Sequence, residues 1–549
     1  MFRVVRRLPS NDVEWTDFDR VTPTARLTAQ RSGRIEAGDV ADEIGRVEAE
    51  TRPRWVWDDT PRWYPRLLGA GVRVSRIVDL RLVHALLRSS SATEGSALHG
   101  AARGPWDTAQ AATDDASALF ELVPESLPDP VAEFLAQREA IEASPARAGL
   151  ELLVAAESTG ALVAVEMRRR GIPWSPIVHD AVLTELLGPR PGPGERPAHM
   201  RDDLDEIRVA LGDPDVNPDS PVELRKALNR AGIPVTSTSK WQLSEHEHPV
   251  IEPLLRYKKR QRLLVANGWS WLDAWIRDGR FRPDYVPGGV VTGRWATSGG
   301  GALQLPKAVR RAVVADPGWK LVVADAAQLE PRILSGLARD AAMAKAGEGD
   351  LYEGIVRSGA VADRPQAKVA MLGAMYGATR GESGRLVPRL ARAFPRAMAY
   401  VDAAAAVGEG GGVVSTLLGR SSPRPGAGVA PDVMPPEMPR ADGDGASRAW
   451  GRFTRNFVVQ GTAAEWALCW MAALRRRLYD TWGERGEAAP HLVLFLHDEL
   501  VVHSPADVAD LVAEQVRLAA VEAGELLFGP SPVRFPLTVA VVDDYGQAK

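Results

Sequence analysis

The sequence predicts a mixed α/β protein, of the α+β kind, built from more than one domain. Three observations lead there. At 549 residues the chain is too long for one simple domain, and two to four units are expected. Two short apolar runs, Leu321 to Ala324 and Leu492 to Leu496, have the length of buried strands, and each meets an acid at its end. Long stretches elsewhere repeat apolar residues at three- and four-residue spacing, the pattern of buried helix faces.

Composition narrows the class. Hydrophobic residues at 45% and charged residues at 25% describe a soluble globular chain. With 67 basic and 71 acidic residues the net charge is -4, so any nucleic-acid binding has to come from a local basic surface. One cysteine, Cys469, excludes an internal disulfide framework and a multi-cysteine metal site. No apolar stretch is read as approaching a membrane span. The arginines of MFRVVRRLPSNDVEW precede no signal-type apolar region, and a cytoplasmic protein is expected.

From the start of the chain, RPRWVWDD reads as a strand, PRWYPRLLGAGV as a helix ending at glycine, and IVDLRLVHALLR as another helix. Ser89 to Ala118 is small, polar and poorly periodic, a connector. VAEFLAQREAIEA and LELLVAAESTGALVAVEMRRRGIPWS restore helical periodicity, and the main boundary is placed near residue 146. Gly188 to Met200 is a loop by its proline and glycine content. Ser220 caps a helix through NPDSPVELRKALNRAGI. One long helix is expected over HPVIEPLLRYKKRQRLLVANGWSWLDAWI, with Arg256, Lys258, Lys259, Arg260 and Arg262 suited to tracking phosphates. A second proline-rich insertion, Ser421 to Ala446, is expected to be mobile.

The chemistry gathers on two strand ends. HLVLFLHDELVVHSP reads as a hairpin with His497, Asp498 and Glu499 at its tip. Adjacent acids in so apolar a setting repel one another unless a cation or water relieves them. WKLVVADAAQLEPR puts Asp325 at the end of the other run, just before a helix, where an aspartate also serves as a cap. If the two strands pair, two carboxylates converge, the minimal protein ligand set for a pair of Mg2+ ions. In RPQAKVAMLGAMYGATRG, Arg364 and Lys368 lie four apart on a helix, with Leu372 and Met375 read as continuing the stripe and Tyr376 beside them. Cations followed by an apolar end suit a nucleoside triphosphate, although two solvated cations on an amphipathic helix give the same pattern.

Taken together these motifs resemble DNA polymerase family A. DAAQLEPR resembles its motif DYSQIELR, RPQAKVAMLGAMYG resembles RRxxKxxxFGxxYG, and LHDE matches its second palm motif. TGRWATSGGGALQLP and RFTRNFVVQGTAAEW resemble TGRLSS…LQNIP and RxxxNxxxQGTAAD, in the family's order, across roughly Leu150 to Lys549. The chain also resembles the short actinobacterial proteins usually named bifunctional 3'-5' exonuclease/DNA polymerase.

The resemblance implies a right hand: an antiparallel-sheet palm, a helical thumb at about 200–280 and helical fingers at about 346–450, after a degenerate RNase H-like exonuclease-type domain at 1–145. It implies two Mg2+ ions, or Mn2+ in their place, on Asp325 and Asp498, with Glu499 as a supporting acid. Arg364 and Lys368 would hold the triphosphate, and Lys368 would also protonate the departing pyrophosphate. Gln328, Glu330, Leu372 and Tyr376 would complete the dNTP site, Glu330 screening out the ribose 2'-hydroxyl. Arg294, Arg452, Asn456 and Gln460 would read the minor groove, where acceptors occupy similar places for every base pair, and His497 would meet the primer end. Implied partners are primer–template DNA and dNTPs, for a monomer at the nucleoid with no membrane attachment.

Four positions depart from the family pattern: Ala326 and Ala327 replace a tyrosine and a serine, Leu372 replaces an aromatic, and Pro365 replaces an arginine. No metal ligand is touched. In the N-terminal part the only early D-x-E is Asp12-Val13-Glu14, Trp63 falls where a second-motif aspartate is expected, and no tyrosine-x-x-x-aspartate precedes residue 146. No proofreading is therefore expected. A single-subunit RNA polymerase shares the carboxylates and the Arg-Lys-Tyr pattern, but Glu330 opposes it; a silent DNA-binding scaffold is the other alternative.

Overall fold

The computed structural model describes residues 1–19, 27–107, 128–379, 381–425 and 444–548. Residues 108–118 of the expected connector and most of the proline-rich insertion lie outside them.

The N-terminal strands are β1 (Phe2–Arg7), β2 (Val13–Asp19), β3 (Thr28–Ile35), β4 (Arg54–Trp57) and β5 (Arg76–Asp79). They form one sheet in the order β3-β2-β1-β4-β5. The first three are antiparallel, and β4 and β5 run parallel to β1 and to each other. Helices α1 (Val40–Thr51), α2 (Thr60–Gly69), α3 (Leu80–Ser89), α4 (Pro130–Ala143) and α5 (Arg147–Arg170) accompany it. The stretch read as one helix, IVDLRLVHALLR, is a strand followed by a helix. Ile77, Val78 and Asp79 extend β5, and the Asp79 carboxylate caps α3 by accepting from Leu82 N at 3.0 Å.

Gly171 opens a second unit with β6 (Ile172–Pro173), α6 (Pro176–Leu187), α7 (Ala198–Leu211), α8 (Pro221–Arg230), α9 (Lys240–Leu243), α10 (Ile251–Asn267), α11 (Trp269–Trp275), β7 (Ile276–Arg277) and β8 (Arg280–Phe281). Ser220 caps α8 as expected, its hydroxyl accepting from Glu223 N. The single long helix expected here is two, α10 and α11. The chain is extended at Gly268, and a Cβ there would sit 2.3 Å from the Leu264 carbonyl, so only glycine makes the break.

The remaining elements are β9 (Tyr285–Val286), β10 (Ala296–Thr297), β11 (Trp319–Ala326), α12 (Leu329–Ala338), α13 (Ala341–Ala346), α14 (Leu351–Arg357), α15 (Arg364–Tyr376), α16 (Gly381–Ala393), α17 (Pro395–Glu409), α18 (Asp444–Trp482), β12 (His491–Leu496), β13 (Glu499–Pro505), α19 (Ala509–Phe528) and β14 (Leu537–Val542). A four-stranded sheet runs β12-β13-β11-β14. The two apolar runs of the sequence fall on the inner strand β11 and the edge strand β12, each buried along its middle four residues.

The chain divides into two compact units, residues 1–170, 284–298 and 322–541, and residues 171–283, 299–321 and 542–549. Helix α5 serves two cores: Leu150, Leu153 and Val154 join one core of the N-terminal sheet, while Leu162 and Val165 join the other. The same helix packs against α18. Glu166 of α5 is half-buried between Arg73 and Arg475 and accepts from the Tyr64 hydroxyl, and the two guanidiniums hold its carboxyl well below the usual range despite its partial desolvation.

The expectation that no stretch is long and apolar enough to span a membrane is corrected. Two helices, Arg147–Arg170 and Gly445–Ala488, pass that test by length and composition. In the second, 94% of the apolar window is buried inside the protein, as befits a core helix.

Candidate active site

Strand β11 delivers Asp325 one residue before its end, and the β12–β13 hairpin delivers His497 and Asp498 in a two-residue turn. Leu496 pairs with Glu499 across that turn, and His497 takes a left-handed φ of 60°. The two strand ends are joined directly, since Ala326 N donates to Asp498 O at 2.8 Å. The pairing that the sequence left conditional is therefore made.

Charge is crowded here. Burial, then Asp325, with Glu330 and Glu499 behind it, pushes the Asp498 carboxyl up to about 6. Arg294 forms an ion pair with Glu330. Burial, then the Arg294 charge, pushes His497 down to about 4, so its imidazole is neutral at pH 7. Arg294 is set beside the hairpin by its neighbour: the Trp295 ring lies 5.2 Å from Phe495 and 5.4 Å from Tyr285. The Tyr285 hydroxyl in turn accepts from Phe495 N at 3.3 Å.

Among the described residues no three His, Cys, Asp or Glu side chains are arranged to hold a metal by themselves. Two convergent carboxylates nonetheless fit Mg2+, which binds through one or two protein acids and fills its other positions with water and phosphate oxygens. The unfavourable crowding around Asp498 is what a cation would relieve.

Helix α15 begins at Arg364 behind the Asp363 cap, and Pro365 occupies the first turn, where its missing N–H costs nothing. Arg364, Lys368 and Leu372 are exposed, and Tyr376 is half-buried at the end of the same row. Met375, read as part of that stripe, points into the core instead, because the exposed row advances by four residues and not by three. Arg364 donates to Asp350 at 2.9 Å.

Gly377 ends the helix at φ 70°, and a Cβ there would lie 3.0 Å from Arg452 Cγ. On α18, Arg452, Asn456 and Gln460 follow one another at four-residue intervals. With Thr292, Tyr376, Phe453 and Phe457 they line a cavity of about 250 Å³. Asn456 Oδ1 and Thr292 Oγ1 are buried at this cavity without a hydrogen-bond partner among the described residues, so its wall offers unmet polar groups.

A model of DNA polymerase family A matches residues 198–542. The chain belongs to this family. Thermostable DNA polymerase I of Thermus thermophilus is 28% identical over 342 residues, 57% of this chain and 38% of the relative. DNA polymerase I of Pseudomonas aeruginosa is 26% identical over 377 residues, 61% of this chain and 39% of the relative. The chain thus spans about two-fifths of the length of these relatives. The fold is that of a solved polymerase domain of Pol1 from M. smegmatis in complex with DNA primer-template and dNTP, at a TM-score of 0.69 and 18% identity, covering 100% of this chain and 95% of that one.

Within this family A chain the predicted residues fall into three groups. Asp325, Asp498, Glu499, Glu330, Arg294 and His497 surround the joined strand ends. Gln328 and Arg364 meet at Asp350, with Lys368 and Leu372 further along α15. Tyr376, Arg452, Asn456 and Gln460 share the cavity. Sequence reasoning missed Asp350, Tyr352, Arg332 and Thr292. The one local signal for Asp350 was the D-x-x-E of a helix cap, and its carboxylate does accept from Glu353 N at 3.0 Å.

Proposed function

We propose that the chain is a template-directed DNA polymerase that adds dNTPs to a primer 3' end, in DNA repair or replication, as a cytoplasmic monomer. One observation carries this reading. Asp325 and Asp498 arrive from two paired strands with Glu330 and Glu499 close by, in a family A chain with Arg364 and Lys368 exposed on one helix face.

In the proposed reaction Asp325 and Asp498 hold two Mg2+ ions, which when bound stabilise both the attacking and the leaving oxygen of the displacement. Everything else falls to the chain's own groups. Arg364 and Lys368 bind and orient the triphosphate, and Lys368 gives its proton to the departing pyrophosphate. Gln328 and Leu372 line the nucleotide site, where Leu372 offers an apolar contact in place of a ring. Tyr376 packs beside the templating position. Glu330 occupies the space of a ribose 2'-hydroxyl, its rotamer fixed by Arg294. Arg294, Arg452, Asn456 and Gln460 face the minor groove, neutral His497 approaches the primer end, and Glu499 supports the acid pair.

The same reading has no proofreading. Strand β1, where exonuclease chemistry would need its first acids, carries Arg3, Arg6 and Arg7 and no acid. Asp12 lies in the turn before β2 and is bound by Arg34. Of the acids following β4 and β5, Asp59 pairs with Arg81 at 3.2 Å, and Asp79 accepts from Thr60 N and Leu82 N.

Primer extension on gapped DNA tests the whole proposal. Wild type should extend a matched primer with dNTPs and not with rNTPs, Asp498→Ala should not extend it, and neither should shorten a 3'-mismatched primer. No extension by wild type would favour a silent DNA-binding scaffold. Degradation that is lost in Asp12→Ala or Asp59→Ala would restore an exonuclease.

A further inference from the structure

Asp350 divides its carboxylate between two tasks. Oδ1 caps α14 through Glu353 N, which a cap needs and which one oxygen satisfies. Oδ2 accepts from Gln328 Nε2 at 3.0 Å and from Arg364 Nε at 3.2 Å and Nη2 at 2.9 Å. The guanidinium is thus gripped along one edge. Its other nitrogen, Nη1, has no partner among the described residues, and the side chain is about half exposed. Beneath it lies the Tyr352 ring, 5.4 Å from Cζ, which restricts its tilt.

Gln328 is itself immobilised. Its amide oxygen accepts from Arg332 Nη2 at 3.0 Å and from Leu351 N at 3.3 Å. Arg332, fully buried, also donates to the carbonyls of Ala327, Gly347 and Gly349. A continuous set of hydrogen bonds therefore runs from the turn three residues past Asp325 to the first residue of α15.

We propose that Asp350 is a positioning residue for nucleotide binding: it holds the Arg364 guanidinium by its Nε edge, in register with the Asp325 turn, so that the Nη1 side is presented to the incoming triphosphate. This rests on the reading of Arg364 as a triphosphate contact. A long side chain fixed beforehand in its binding orientation loses less freedom when the ligand arrives. The nitrogen donors that converge on the Asp350 carboxylate do for Arg364 what packing does for a core residue.

Single-nucleotide incorporation by Asp350→Asn is the test. Asparagine caps helices as well as aspartate does, so α14 is retained while the charged grip on Arg364 is lost. The expected result is a KM for dNTP raised about tenfold, with kcat changed less than about threefold and the KM for primer–template unchanged. Arg364→Ala should raise the dNTP KM further, and the double variant should be no worse than Arg364→Ala alone. Asp350→Ser, which also caps but is too short to reach Arg364, should behave like the asparagine variant and guards against a folding defect in one substitution. An unchanged KM in both Asp350 variants, a lowered one, or additive losses in the double variant would overturn the proposal. If Arg364→Ala leaves the dNTP KM unaltered, the triphosphate reading of Arg364 falls first and the proposal with it. A raised KM in Arg364→Ala alone removes only the role of Asp350.

Discussion

Asp498 sits among acids, and a protein selected only for stability would not keep it there. Its neighbours Asp325, Glu330 and Glu499 all disfavour its charge, on top of burial. Asp498→Asn should therefore cut primer extension by on the order of 10³-fold while raising the thermal midpoint of the metal-free protein by a few degrees. Activity and a melting curve on one preparation check both halves. Glu465 of α18 is a second costly carboxylate, for a different reason. Buried, and accepting from the Thr416 hydroxyl and Leu418 N, it is pushed up to about 7 by desolvation, with Arg420 and Glu157 nearby. The folded protein then keeps a proton that the unfolded chain releases, so stability is greatest below about pH 4.5 and declines as pH rises to about 7. The decline should be roughly 3 kcal/mol from this group. Urea unfolding at pH 5 and pH 8 measures it, and Glu465→Gln, able to satisfy both partners, should reduce the difference.

At the scale of elements, α15 and α18 approach one another closely at Gly377. Gly377 adopts a left-handed φ of 70°, and its missing Cβ leaves room for the Arg452 stem. Gly377→Ala should cost about 1 kcal/mol from the backbone alone. By displacing Arg452 it should also raise the KM for primer–template several-fold, in steady-state extension against a thermal melt as control. How far such elements could be read from sequence depended on the range of the interaction. The β11 and β12 acids were legible because an apolar run meeting an aspartate is a local pattern, and α15 because its cations repeat at four. The same local view put Met375 on the exposed face, since spacings of three and four both fit a helix until burial chooses. It joined α10 to α11 because nothing in the residues around Gly268 signals an extended φ/ψ. It read IVD as helix because β5 exists only by pairing with β4, some twenty residues earlier. Asp350 was invisible as anything but a cap, for its link to Arg364 and Gln328 is made by the fold.

For the larger of the two units, the half-buried cluster at Glu166 matters most. It ties α5, the loop before β5 and α18 with Arg73, Arg475 and Tyr64, and none of these charges faces bulk water freely. Removing one partner strands the rest, so Glu166→Ala should destabilise the protein by about 3–5 kcal/mol. Because α5 serves both faces of the N-terminal sheet as well as α18, the loss should appear as one cooperative transition in which tryptophan fluorescence and circular dichroism coincide. Two separate transitions would mean that the N-terminal sheet unfolds independently of α18.

That shared helix has a practical side for anyone hoping to trim the chain to a smaller enzyme. A cut just before Arg147 spares every residue of the candidate active site, and it looks like the natural place to shorten the gene. Yet it would strip α5 of the partners that cover Leu150, Leu153, Leu162 and Val165, and leave a greasy rod beside α18. Such a truncation should come out of the cell as inclusion bodies unless those side chains are rewritten as polar ones. A segment that lends no residue to the candidate active site can in this way become impossible to discard.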